Sequence, residues 1–330
     1  MTDLDEPSRL MEERAAEFPF SEWQCGIEEA ANRLKGRVRQ CARSAFAHLR
    51  KAWHLHGIDD EMSAFRAITA EEEAASALIA ALKHRGYPGA DRLRPWNHVH
   101  KSAFWPLIAT VSQFMVETGA PTPQVGLSRK GPPKISIQLN INDLTGAIGD
   151  PVWIEPDHPL NFALRSGQAT DQKVHLFEEE LAKLANDAGK GSIRQYIERE
   201  ANFRNKLLYA SDEGIPRVSF ADSLLIERGR RVGILVSLSI IVMQTAEHQA
   251  FVTQCLETLL HAIDSVVDIN FDYPDEKEFT DRPRVRIHRQ EGEPAQISVT
   301  RSYELSISWR FGWPRLSPDL LSPQPKVPIA

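Results

Sequence analysis

The feature that most constrains the fold is an apolar run at residues 233–243, GILVSLSIIVM, inside a longer segment of helical character. The run is too short to span a bilayer, which takes about 20 apolar residues. A helix that is apolar all round has to be packed on most sides. We therefore expect a helical block at 220–267, broken near Gly229 and Gly233, with other helices packed around it.

The composition suits one large domain or two smaller ones. The chain has 330 residues, of which 42% are hydrophobic and 25% charged, and its net charge is -6. These are ordinary globular values, and the acidic balance confines any nucleic-acid contact to a local patch. Three widely spaced cysteines indicate neither a disulfide framework nor a zinc site. Since residues 1–20 are charged and lack an apolar run, we predict a loose N-terminal arm and a cytoplasmic protein that does not use a membrane.

Helical patterns predict a bundle formed by two blocks of the chain. The first block covers residues 21–119 and the second covers residues 173–267. In the first block we expect one long helix, or two helices joined near Gly36, at 21–57. Further helices are expected at 63–84 and at 97–118, the latter with a kink at Pro106. In the second block we expect helices at 174–188 and 192–210, before the apolar block.

Two other regions change to a period of two. Within 120–172, residues Ile135, Ile137, Leu139 and Ile141 alternate with polar residues, which predicts a half-buried strand. A second short strand is expected at 152–154 and a loop at 156–172. The region 268–313 predicts antiparallel strands at 269–273, 284–288 and 297–311, followed by a proline-rich tail at 314–330. The predicted class is α+β, mainly α: a helical bundle with a β insertion and a C-terminal antiparallel hairpin or sheet.

Residues 204–209, RNKLLY, have the spacing of a helical ribonuclease motif, with tyrosine where histidine is expected. An arginine such as Arg204 can hold a phosphate in a two-pronged fork. A histidine can transfer protons near neutral pH, whereas free tyrosine, with a pKa of about 10, is a poor base. Tyr209 can still donate a hydrogen bond or stack on a base. The alternative is that Tyr209 covers the core and Arg204 pairs with Glu200, one turn earlier.

Three segments together resemble the HEPN superfamily, in particular its abortive-infection AbiV-like branch. They are AITAEEEAASALIAALKHRGY at 67–87, HVHKSAFWPLI at 98–108 and RNKLLYASDEGIP at 204–216. The resemblance implies a HEPN-like helical bundle, a homodimer, and RNA as the substrate class. It also implies metal-independent endoribonuclease activity or RNA binding, without a cofactor, in prokaryotic antiviral defence or a toxin–antitoxin system. The tyrosine at 209 and the two β regions depart from the family pattern.

The resemblance also assigns roles within the candidate site. Arg204 would hold the scissile phosphate and Asn205 would orient it. Tyr209, or a spatially close histidine such as His98 or His100, would transfer protons. The competing hypothesis is a non-catalytic interaction module, in which the one-faced sheet and the proline-rich tail dock a partner protein.

The first long helix carries a basic stripe of three arginines, Arg39, Arg43 and Arg50. Such a stripe can contact phosphates, and Arg43 with His48 repeats the arginine-to-histidine spacing of the ribonuclease motif. The alternatives are a solvated basic helix or pairing with the acidic residues at 12–29 or 71–73.

The three consecutive glutamates at 71–73 also admit two interpretations. They can hold a metal only if His98 or His100 lies nearby, and because consecutive helical residues point in different directions, at most two of them can face one site. A solvated face is therefore favoured, and no metal site is predicted.

Overall fold

A computed structural model of the chain describes residues 20–117, 124–128, 134–140, 153–154, 160–161, 163–166, 173–189, 191–209, 217–218, 221–264, 271, 283–288 and 296–301. Three helices open the fold: α1 (Glu22–Asn32), α2 (Gly36–Leu55) and α3 (Asp60–Arg85). Of the two alternatives for 21–57, the structure has two helices that meet near Gly36, since α2 begins at that residue.

Local sequence signals account for the ends of these helices. Ser21 caps α1 and forms a reciprocal capping box with Gln24. The side chain of Asp59 caps α3 by accepting a hydrogen bond from the backbone N–H of Met62. Gly86 ends α3 in the left-handed conformation, with φ of 68°, which a glycine adopts without steric cost.

The helix predicted at 97–118 is divided into α4 (His98–Ser102) and α5 (Phe104–Glu117). Asn97 caps α4 by accepting a hydrogen bond from the backbone N–H of Val99. The division falls at Ala103 rather than at Pro106, where a kink was expected. A proline ring conflicts with the carbonyl group four residues earlier, which here belongs to Ser102, the last residue of α4.

The β insertion contains three antiparallel strands in the order β1 (Gln124–Ser128), β2 (Lys134–Asn140) and β3 (Trp153–Ile154). Strand β2 is the strand predicted from alternation, and its Ile135 and Ile137 are buried. Val125 pairs with Ile137 across β1 and β2. The predicted short strand at 152–154 is confirmed as β3, whereas Ile141 lies outside the described residues.

A second antiparallel pair joins β4 (Arg165–Ser166), in the region where a loop was expected, to β5 (Lys173–Val174), which reaches the start of the helix predicted at 174–188. The expectation of a loop at 156–172 is therefore wrong at β4. A two-residue strand carries too little alternation to be distinguished from loop.

The second block contains α6 (Glu178–Asp187), α7 (Ile193–Lys206), α8 (Ala221–Gln244) and α9 (Ala250–Ile263). The predicted break near Gly229 and Gly233 is wrong, because α8 is continuous through both. The chain leaves the helix only between α8 and α9. A Cβ atom at Gly233 would overlap the ring of Trp23, so this glycine allows α1 to approach α8 closely.

The core surrounds α3 and α8, which pack along each other, with α2 on the other side of α3. The apolar run of α8 is buried as predicted, and Val232, Leu235, Val236, Ile240 and Ile241 belong to one core cluster. An apolar cavity of about 110 Å³ lies between α3, α5, α8, α9 and the sheet.

The described part of the chain is mainly helical with small antiparallel sheets, which confirms the predicted class at that level. A C-terminal hairpin of β6 (Pro283–His288) and β7 (Gln296–Arg301) lies within the predicted β region. Most of the expected strand at 269–273, the end of the strand at 297–311 and the tail at 314–330 lie outside the described residues. None of the described helices has an apolar stretch long enough to cross a membrane.

Candidate functional site

Two adjacent carboxylates, Glu71 and Glu72, lie buried in the middle of α3, with exposed fractions of 7% and 6%. The prediction of a solvated face is wrong for both, because α3 is enclosed by neighbouring helices. Consecutive residues point about 100° apart around a helix, so the two side chains meet different neighbours. A buried carboxylate needs cationic partners, and each glutamate has its own set.

Glu71 ties α3 to α8. Its carboxylate is paired with Arg228, and its Oε1 lies 3.4 Å from Nη1 of Arg231. Arg231 also pairs with Glu227 and packs over the ring of Trp105, 4.4 Å from the ring centre. Burial alone would raise the pKa of Glu71, but the two arginines more than offset it and hold that pKa below its usual value. Glu71 is therefore a structural anion within a closed charge network.

Glu72 joins three helices through a second set of contacts. Its Oε2 accepts a hydrogen bond from Nζ of Lys101 at 3.0 Å, and its Oε1 lies 2.6 Å from Nδ1 of His98. Nη1 of Arg204, from α7, lies 3.7 Å from the same Oε2. We call Glu72, His98, Lys101 and Arg204 the Glu72 cluster. It brings one residue or more from each of the three segments noted in the sequence into a single site.

The geometry of His98 assigns its protons. Nη1 of Arg204 lies 3.2 Å from Nε2 of His98. Nη1 also lies 3.5 Å from Nδ1, so the guanidinium lies against the ring and is not aligned with the Nε2 lone pair. The oxygens of Glu72 can only accept, so Nδ1, 2.6 Å from Oε1, carries the proton of the neutral imidazole and Nε2 carries none. Nδ1–H in turn donates to Glu72. A carboxylate that orients a histidine in this way leaves the opposite ring nitrogen as a base.

The cluster is open to solvent on one side. The side chain of His98 is 42% exposed and that of Arg204 is 24% exposed, whereas Lys101 and Glu72 are buried. The guanidinium of Arg204 lies over the ring of Phe65, 4.7 Å from its centre, which fixes the plane of the fork. Three basic side chains thus surround one carboxylate, and this arrangement favours an anionic ligand.

The remaining residues of the predicted motif lie apart from this cluster. Asn205 is exposed, and Tyr209 is 69% exposed beyond the last residue of α7. Tyr209 therefore does not cover the core. The ion pair of Arg204 is made with Glu72 on another helix, and not with Glu200 one turn earlier.

His100 faces away from the Glu72 cluster. It is buried, and its Nδ1 accepts a hydrogen bond from the backbone N–H of Arg94 at 3.2 Å. Burial lowers the pKa of His100, which favours the neutral ring. Of the two histidines considered from the sequence, the structure brings only His98 to Arg204.

The three arginines of the basic stripe on α2 lie in different surroundings. Arg50 pairs with Glu28, with one N–O distance of 2.9 Å, so pairing with the acidic segment does occur there. Arg43 is exposed and Arg39 is half-buried. Neither is in the Glu72 cluster.

Sequence reasoning gave no role to Lys101, Arg228 or Arg231. The signal that Glu71 and Glu72 would be buried was the set of alanines around them, since Ala70, Ala74 and Ala75 are all fully buried. A helix face of alanines indicates close packing by neighbours, and a carboxylate there needs partners.

Comparisons of the chain with protein-family models, with curated proteins and with solved structures find no match. Among the residues that the structure describes, no group of three or more histidine, cysteine, aspartate or glutamate side chains is arranged to hold a metal ion.

Proposed function

We propose that this protein is a HEPN-like, metal-independent endoribonuclease of a prokaryotic antiviral defence or toxin–antitoxin system. The observation that supports the proposal is the contact between Nε2 of His98 and Arg204, with His98 oriented by Glu72. The histidine that the motif lacks at position 209 is supplied in space from α4. The site then has the phosphate ligand and the base that metal-free RNA cleavage needs.

The proposed reaction begins when the guanidinium of Arg204 binds the scissile phosphate through two hydrogen bonds. Nε2 of His98, which is unprotonated in the neutral ring, removes the proton of the adjacent 2′-hydroxyl. The 2′-oxygen bonds to phosphorus and the bond from phosphorus to the 5′-oxygen breaks, while the leaving oxygen takes a proton from water. The products carry a 2′,3′-cyclic phosphate and a 5′-hydroxyl. Glu72 stabilises the imidazolium that forms, and Lys101 keeps Glu72 in place.

In the proposed homodimer, exposed side chains near the site form the contact between copies. Leu208 and Tyr209 are large, exposed and adjacent to the end of α7, which carries Arg204. The same observation favours the alternative function, in which this surface docks a different protein and the cluster only holds the helices together.

The test is cleavage of end-labelled single-stranded RNA by the purified full chain, with and without EDTA. We expect cleavage that EDTA leaves unchanged, with cyclic phosphate at the new 3′ ends. His98→Gln and Arg204→Gln should each lower the rate about 100-fold or more. The exposed His84→Gln variant is the matched control and should keep the rate.

The outcomes separate the two functions. If well-folded His98→Gln cleaves like the parent protein, the proposed site is wrong. If no variant cleaves or binds RNA, while Tyr209→Ala abolishes capture of a partner or self-association, the interaction module is the better description.

A further inference from the structure

A second basic pair lies beside the Glu72 cluster. Nη1 of Arg66, on α3, lies 3.4 Å from Nδ1 of His48, on α2. The residue before Arg66 is Phe65, whose ring carries the guanidinium of Arg204. The two pairs are close enough to interact: burial lowers the pKa of His48 most, and Arg66 and Arg204 both lower it further.

Among the described residues, Arg66 lacks the carboxylate partner that a half-buried cation normally has. No carboxylate lies within ion-pair distance of it among the residues described, and its Nε is buried without a hydrogen-bond acceptor. Glu73 acts on His48 through its charge but makes no ion pair with Arg66. A desolvated cation without a counter-charge costs free energy, and an anionic ligand removes that cost.

The tautomer of His48 adds a second donor to the pair. Because the guanidinium of Arg66 can only donate, Nδ1 of His48 accepts and the proton of the neutral ring lies on Nε2. His48 and Arg66 together therefore present N–H donors and a positive charge, and no carboxylate in the described part of the chain contacts them. This arrangement suits a phosphate oxygen.

We propose that Arg66 and His48 form a second phosphate subsite, which binds the phosphodiester next to the one held by Arg204. The identity of the ligand as single-stranded RNA rests on the proposed function. The subsite requires a substrate with two adjacent phosphodiesters, and a dinucleotide fills only the cluster at Arg204. Arg66 is a positioning residue in this scheme, since it touches the strand one nucleotide away from the reacting atoms.

Binding to uncleavable RNA tests the subsite separately from catalysis. The probes are 2′-O-methyl oligouridines of two to six nucleotides, whose blocked 2′-oxygen cannot attack. We compare the full-length parent protein, Arg66→Gln and the control Arg194→Gln, which removes an equal charge from a surface pair with Glu198 on α7. Circular dichroism and thermal melting verify that each variant is folded.

For the parent protein we expect a step in affinity, which is a sharp rise from the probe with one phosphodiester to the probe with two. Arg66→Gln should remove that step, lower the affinity for the longer probes about tenfold, and reduce the salt-dependence slope by about 0.7. Its affinity for the dinucleotide should stay within about twofold of the parent, as should every value for Arg194→Gln.

Two results would overturn the subsite. One is an Arg66→Gln variant with the parent's affinity and salt slope at every length, and the other is equal weakening at all lengths. If the step is present and depends on Arg66 while unmodified RNA remains uncleaved, the subsite stands and only the proposed endoribonuclease activity fails.

Discussion

At the scale of single residues, we assign proton transfer to His98 because of its place in the structure and not because it belongs to the sequence motif. His98 contacts Arg204, whereas Tyr209 is exposed beyond the end of α7. We therefore expect Tyr209→Phe, which removes only the hydroxyl, to change the RNA cleavage rate less than twofold. The measurement is single-turnover cleavage beside His98→Gln. A large loss in Tyr209→Phe alone would transfer the role of base from His98 to the tyrosine.

Glu71 offers a test of the buried charge network that does not depend on function. Glu71→Gln leaves Arg228 and Arg231 with a neutral neighbour in place of their shared anion, and we expect a loss of about 3 kcal/mol in the free energy of unfolding. Glu73→Gln lies two residues further along α3 and is only half-buried. It should lower the free energy of unfolding by less than about 0.5 kcal/mol. Urea denaturation of both variants measures the difference, and similar values for the two would contradict the network.

The same carboxylate makes stability depend on pH in a definite direction. The pKa of Glu71 is held below its ordinary value of 4.5 by Arg228 and Arg231, against the raising effect of burial. A group whose folded-state pKa is depressed stabilises the protein fully above its unfolded pKa, and the contribution is lost as pH falls further. The stability gap between the parent protein and Glu71→Gln should therefore be constant above about pH 6 and shrink below about pH 4.5. Urea unfolding across this range measures the gap, and a gap that grows on acidification would contradict the assignment.

At the scale of secondary-structure elements, the two glycines of α8 should respond differently to alanine. At Gly229 a Cβ would lie 3.1 Å from Nε2 of Gln24, which donates a hydrogen bond to the carbonyl group of Gly229 and needs to shift by only a few tenths of an ångström. There the gain in helix propensity, up to about 1 kcal/mol, should leave Gly229→Ala neutral or more stable. At Gly233 the Cβ would overlap the rigid ring of Trp23, so Gly233→Ala should cost about 1–3 kcal/mol despite the same gain.

Thermal and urea unfolding of the two glycine variants give the comparison. The change in tryptophan emission relative to the parent protein is an internal check, because only Gly233→Ala should move the ring of Trp23. Equal effects would mean that α1 does not approach α8 as closely as described.

The same glycines show where sequence-based prediction of elements works and where it fails. Ser21 and Gly86 are local signals, and the predicted helices begin and end beside them, whereas α3 begins at Asp60, before the start predicted at 63. Gly229 and Gly233 were interpreted as breaks because the reason for them, the approach of α1, comes from some 200 residues earlier in the chain. Strand β1, interrupted by Gly126, has too few alternating residues to be recognised without its partner β2.

At the scale of the whole molecule, the site depends on helices that are distant in sequence. Residues 72, 98 and 204 meet only because α4 and α7 pack beside the middle of α3. The three segments could be selected from the sequence, but the contacts between them could not be predicted from it. His98 and His100 point about 200° apart on one helix, so only one of them can face Arg204, and the choice depends on which side of α4 meets α3.

The packing of the whole core can be tested through the three cysteines. Cys25 is exposed, Cys41 is buried, and Cys255 lines the apolar cavity. Burial raises the pKa of Cys41, and it raises that of Cys255 to about 12. Since the thiolate is the reactive form, we expect one thiol to react rapidly with a disulfide reagent at pH 8 in the native protein, and all three to react in urea.

A Cys25→Ser variant identifies the rapid phase, because it should remove that phase and leave the slow reaction unchanged. The slow phase then reports opening of the structure around Cys41 on α2 and Cys255 on α9, and its rate should rise in step with the population of unfolded protein as urea is added. Rapid native labelling of Cys255 would instead show that the cavity exchanges freely with solvent. In that case α5 and α9, which cover the cavity, would form a locally unstable unit, while the charge networks of Glu71 and Glu72 would hold α3 to α4, α7 and α8.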